Sequence, residues 1–145
     1  MEQAHQGDLL ALYETFVEMQ SAERVLFRRL ASAHDLHENA LRALMLSTSQ
    51  TGSLTPKDVG RRLGLASGTI TALLDALTTR DLLRRIPNPG DRRGSLLELT
   101  PSGQRLAAMV RATYEAVFEH AVPAERASAL SADLVHLTAE FEARD

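Results

Sequence analysis

The sequence predicts a mainly α-helical chain with one small β wing, on three observations. Apolar residues recur at three- and four-residue steps through most of the chain, the spacing of amphipathic helices. One stretch, residues 82–99, instead reads as two short strands around a run of turn formers. Thr-Pro pairs at 55–56 and 100–101 carry the hydroxyl cap and first-turn proline that open helices.

Residues 8–33 read as a helix, with Leu9, Leu12, Tyr13, Phe16, Met19, Leu26 and Leu30 on one stripe and Asp8 as N-cap. Leu10, Val17 and Phe27 form a second apolar set, which predicts burial on more than one side. A shorter helix spans 36–46, with Leu41, Leu44 and Met45 inward, and a polar loop covers 47–53. Thr55-Pro56 opens a helix over 56–63 that stops at Gly64, a residue suited to a left-handed C-terminal cap. After Leu65 a helix over 67–80 carries Ile70, Leu73, Leu74 and Leu77 on its inner stripe. Two helices joined by a short glycine turn describe a helix-turn-helix.

Strands are expected at 82–86 and 95–99, with residues 87–94 as a long basic tip. A long helix follows Thr100-Pro101 to about residue 121 and is broken by Pro123. The last helix sets Leu130, Leu134, Leu137 and Phe141 at steps of 4, 3 and 4, a seam for packing on another helix. The expected organisation is a single domain over 1–145. A winged helix-turn-helix lobe occupies 36–100, and residues 1–33 and 101–145 supply N- and C-terminal dimerisation helices.

Composition narrows the function. At 44% hydrophobic and 24% charged residues, the chain reads as an ordinary globular protein. With no cysteine it has no disulfide, thiolate metal site or thiol nucleophile. No tryptophan, two tyrosines and four phenylalanines are too few for a base-stacking platform. No apolar run or leader-like N-terminus stands out, so no membrane partner is predicted and the expected compartment is cytoplasmic. The net charge is −3, yet residues 55–100 hold eight basic and five acidic residues against eight and fourteen elsewhere. A basic middle between acidic ends can aim one face at phosphates.

The second helix of the helix-turn-helix opens with Ser67, Gly68, Thr69, Ile70 and Thr71. Ile70 points inward, so small hydroxyl and glycine positions face out and allow close approach to a major groove. The hairpin adds Arg84 and Arg85 on its first strand and Arg92 and Arg93 at its tip, where a minor groove is most negative. Asp91 is suited to pairing with an arginine and fixing its fork. The DNA-binding candidates are Ser67, Gly68, Thr69, Thr71, Arg84, Asp91, Arg92 and Arg93.

This region resembles MarR-type transcriptional regulators. In their wing an aspartate is followed by any residue, then arginine, and later by Leu-Thr opening the next helix; Asp91, Arg93, Leu99 and Thr100 stand at those four places. Pro101-Ser102-Gly103 and Leu63-Gly64-Leu65 are similar to the family's pattern as well, with Thr69, Ile70, Thr71, Leu74, Asp75 and Leu77 beyond. The resemblance follows the whole chain in element order and is tightest over 54–103. It implies an obligate homodimer that binds double-stranded DNA at a palindromic operator. It also implies repression relieved by a small aromatic or phenolic effector between lobe and dimer helices, with Phe16 and Met45 as candidate ligand contacts. Three departures bear on this. Ala66 stands where a capping serine is common, Ala72 and Ala76 where arginines are, and Asp81 where a glycine ends the helix. The recognition helix is thus poor in charge, and the wing is expected to supply most of the affinity.

Asp35, His37 and Glu38 are close enough in sequence to hold a metal, but an acidic first turn of a helix accounts for them more simply. No metal, cofactor or enzymatic activity is predicted. The competing reading is a winged-helix module that binds protein, which would need an apolar rather than an arginine-rich wing.

Overall fold

The computed structural model describes residues 2–48 and 54–144, and of these the side chains of 2–5, 92 and 93 are not described. Six helices and a two-stranded sheet follow in the order α1 (Glu2–Ala33), α2 (Glu38–Leu46), α3 (Pro56–Leu63), α4 (Ser67–Thr79), β1 (Leu83–Asn88), β2 (Asp91–Leu99), α5 (Pro101–Ala121) and α6 (Ala124–Glu142). The chain divides into two compact units, Met1–Ala107 and Ala108–Asp145. Part of the expected polar loop, residues 49–53, lies outside the described residues.

In the first unit a core gathers Leu41 and Leu44 of α2, Val59 of α3, Ile70, Leu74 and Leu77 of α4, and Leu83 and Leu97 of the hairpin, all essentially buried. Burying each such side chain stabilises the lobe by about 1.5–3 kcal/mol. Only the last turns of α1 join that buried set, through Phe27 and Ala31. Its earlier half stays exposed around Leu9, Leu10, Leu12, Tyr13, Val17 and Met19, so the expected burial on two sides does not occur within one chain. The helix also starts at Glu2, which leaves Asp8 in its interior rather than at its cap.

Three helices of this unit end in the same way. Asp35, Gly64 and Asp81 adopt left-handed backbone, with φ of 53°, 63° and 53°. At each, the next amide reaches five residues back: Leu36 to Ala31, Leu65 to Gly60, Leu82 to Leu77, at 2.9, 3.0 and 2.9 Å. This is the Schellman arrangement, which satisfies late carbonyls and turns the chain sharply. It ended α3 and α4 where the sequence suggested. At Asp35 it ends α1, and α2 starts at Glu38 rather than at residue 36, with His37 as its cap.

The hairpin is longer and its tip shorter than expected. Pairing runs from Leu83 opposite Leu99 to Asn88 opposite Asp91, which leaves only Pro89 and Gly90 in the turn. The register shifts between Pro87, opposite Ser95, and Asn88, opposite Asp91, so residues 92–94 of β2 form a bulge. Pro87 is tolerated because each strand of a two-stranded sheet is an edge. Leu97 also donates to the Leu54 carbonyl at 2.8 Å, tying the segment before α3 to the wing.

The second unit holds the end of α5 and all of α6. Phe118, Val122, Ala127, Leu130 and Leu134 line a groove of about 460 Å³ within it. Tyr114 and Phe118 rings lie 6.2 Å apart along α5.

Candidate nucleic-acid interface

The helix-turn-helix is set by local chemistry. Thr55 accepts from the Asp58 amide while its own amide and hydroxyl donate to the Asp58 carboxylate, a complete capping box. The Thr55 hydroxyl, the largest influence, and its backbone N–H hold the Asp58 carboxyl below its ordinary value. Gly60 is buried where α3 crosses α4, and a Cβ there would stand 3.2 Å from Ile70. Glycine therefore permits the close crossing that holds α4 outward.

The first turn of α4 is exposed at Ser67, Gly68, Thr69 and Thr71, whereas Ile70 is buried. Ala66 makes no side-chain cap, and Ser67 lies inside the helix. The Thr71 hydroxyl donates to the Ser67 carbonyl at 3.0 Å, so it turns lone pairs and a methyl group outward. A groove of about 600 Å³ runs along this end, bordered by Pro56, Lys57 and Arg61 of α3 and by Ser67 and Thr71. Lys57, Arg61 and Arg62 were not among the sequence candidates. All three are exposed on the helix that precedes α4, and the basic run of α3 was the signal available.

The two strand arginines diverge, as neighbours in a strand must. Arg84 donates to Glu98 directly across the hairpin, at 2.5 Å. That bond, followed by the Glu98 charge, raises the Arg84 value further above its ordinary one. Arg85 donates to Asp75 of α4 at 2.8 Å. Exposed pairs of this kind are screened by solvent, so they orient side chains more than they stabilise. Arg84 is thus engaged by a carboxylate, and Arg85 links the wing to α4. Asp91 is exposed at the start of β2, and its carboxylate stands 3.0 Å from where a Cβ on Gly94 would lie. The side chains of Arg92 and Arg93 lie outside the described residues, although β2 runs through both.

The remaining candidates sit elsewhere. Phe16 and Met45 are half-buried, on α1 and α2 respectively. His37 Nδ1 accepts from the Asn39 amide at 3.2 Å as the cap of α2, and Glu38 takes the Arg28 guanidinium at 2.6 Å. The Arg28 hydrogen bond is the main reason the Glu38 carboxyl is held below its ordinary value. Among the described residues no cluster of three histidines or carboxylates suits a metal.

An exposed helix opening, a capped helix crossing it and an arginine-bearing hairpin stand together in one unit, and the family model of the MarR family matches residues 34–94 of it. Over these residues, about two fifths of its length, the chain is similar to the MarR family. The match covers α2 to the start of β2. The multiple antibiotic resistance protein MarR of Salmonella typhimurium is 37% identical over 60 residues, 41% of this chain and 42% of that protein. The chain therefore aligns with less than half the length of that relative. Among solved structures, transcriptional regulator PA3341 superposes with a TM-score of 0.72 at 22% identity, over 90% of this chain and 98% of that one. Streptococcus pneumoniae FabT, solved in complex with DNA, gives 0.69 at 21%, over 97% and 99%. At that identity the likeness is one of fold alone. No helix of the described residues is long and apolar enough to cross a membrane.

Proposed function

We propose that this chain is a sequence-specific MarR-type regulator of transcription, a homodimer that represses by binding a palindromic duplex. The observation that carries the reading is the exposed turn from Ser67 to Thr71 beside a wing with aspartate at 91 and arginine at 93. The turn reads base edges in the major groove and the wing anchors on the minor groove or its phosphates. Two recognition helices must then stand about 34–36 Å apart to enter successive major grooves. A small aromatic or phenolic effector that binds one dimer shape better than another shifts this spacing and releases DNA. Phe16 and Met45 are its proposed contacts.

Arg93→Ala tests the wing. It should weaken binding on every sequence with little loss of stability, and lower the slope of log affinity against log salt by roughly two per dimer. Unchanged isotherms at two salt concentrations would remove the wing from the interface. A protein-binding module in place of a DNA reader would pass through a duplex-DNA column at low salt without retention.

Thr71→Ala should act differently. With its proton given to Ser67, Thr71 can accept from an adenine or cytosine amino group or meet a thymine methyl. Its loss should relax preference at one position of each half-site by about 1–3 kcal/mol and leave random-sequence binding unchanged. Equal losses on operator and random DNA would assign Thr71 to the backbone.

A further inference from the structure

The helix that presents Ser67 and Thr71 is pinned at its other end. Arg80, which caps the C-terminus of α4, sends Nη1 to the Asp35 carbonyl at 2.7 Å and Nη2 to the His34 carbonyl at 2.8 Å. These belong to the turn that ends α1. The Schellman bonds of that turn satisfy Ala31 and Ser32 and leave the His34 and Asp35 carbonyls to an outside donor. A planar guanidinium offers two parallel donors in fixed geometry and a positive charge suited to a helix C-terminus. Two helix ends of the same kind, Asp35 and Asp81, are thus cross-linked by one side chain from the residue before Asp81.

We infer that Arg80 is a positioning residue that locks the recognition helix to the end of α1 and so sets where the half-site reader stands. The inference rests on the DNA-binding dimer proposed above. Arg80 lies thirteen residues from Ser67, about 20 Å along the helix axis. Both terminal nitrogens are directed at α1, so it does not serve as a base contact. A lever pinned at one end transmits displacement of α1 to the other. The core contacts of α4, through Ile70, Leu74 and Leu77, fix it in the lobe. The fork fixes its C-terminus to α1, whose exposed apolar half is the part offered to a second copy.

The test measures duplexes with half-sites at different separations, using the whole chain and its Arg80→Met and Arg80→Lys variants. Methionine keeps an apolar stem and removes the fork; lysine keeps the charge but cannot bridge two carbonyls in fixed geometry. The unmodified protein should prefer one separation. In Arg80→Met the ratio of affinities between best and next-best separations should fall by about 2- to 30-fold, the range for residues that couple sites without touching ligand. Arg80→Lys should recover part of that ratio, and the salt slope should be the same in all three. A slope lowered by roughly two per dimer, with the ratio intact, would make Arg80 a phosphate contact and overturn the inference. So would a uniform loss on all separations that tracks the unfolded fraction in a thermal melt, which is a purely structural role. A preference in the unmodified protein that Arg80→Met leaves intact overturns this inference alone. An unmodified protein that binds all duplexes alike overturns the dimeric DNA reading with it.

Discussion

Gly103→Ala is expected to destabilise the lobe by about 3 kcal/mol or more, or to prevent it from folding. Gly103 sits in the first turn of α5, where that helix crosses the backbone leaving α4. A Cβ there would stand 1.9 Å from the Leu82 carbonyl oxygen and 2.9 Å from its carbon. Neither is the movable end of a side chain. Leu82 is held by its bond to Leu77, and its carbonyl also receives the Thr100 amide at 3.3 Å. The Thr100 hydroxyl donates to the Asp81 carbonyl at 2.5 Å and accepts from the Gly103 amide at 3.1 Å. Moving Leu82 therefore breaks the turn that ends α4, and moving α5 breaks its cap. Gly68→Ala is the control. Nothing lies within 4 Å of a Cβ at that position, so helix propensity should leave stability unchanged or raised by up to about 1 kcal/mol. Urea denaturation of both variants checks the pair. Equal midpoints for Gly103→Ala and the unmodified protein would mean that the crossing relaxes freely.

Placing aspartate at both Leu134 and Leu137 should give an unstable or aggregated protein that has lost specific DNA binding. Leu130, Leu134, Leu137 and Phe141 repeat along α6 at 39%, 44%, 39% and 58% exposure, and α6 buries no residue within one chain. Leu9, Leu12 and Tyr13 of α1 are more than half exposed. Apolar surface of this extent is rarely left open by monomers. The proposed isologous pairing across a two-fold axis would cover it on both copies at once, and two-fold symmetry is also what a palindromic site requires. Aspartates in that seam would bury unpaired charge, at several kcal/mol each. Sedimentation of the unmodified protein is the direct check. A well-behaved species near 15.9 kDa at micromolar concentration would mean the seam needs no second copy.

How far these features could be read from the residues depends on how local their causes are. The helix-turn-helix was legible because Thr55-Pro56 and Gly64 each act on their own backbone. The left-handed turn at Asp81 is legible only through the resemblance, which sets a glycine at that place. The matching turn at Asp35 is not, since aspartate signals that conformation weakly and Leu36 fits the apolar stripe of the next helix equally well. The wing is legible as a hairpin, but its turn formers overstate the length of the tip. Strand length there is decided by pairing across the hairpin, which carries the strands past Pro87. The carboxylate partners of Arg84 and Arg85 follow from register and from the packing of α4, which spacing alone does not contain. The Arg80 fork spans 45 and 46 residues and leaves no local signature at all.

Selection of bound duplexes from a random pool reads sequence preference and symmetry in one experiment. A dimeric DNA reader should enrich a palindrome whose half-sites lie about one helical turn apart, with wing-dependent loss of affinity as salt rises. A pool that retains its random composition, although the protein is folded and dimeric, would contradict that reading.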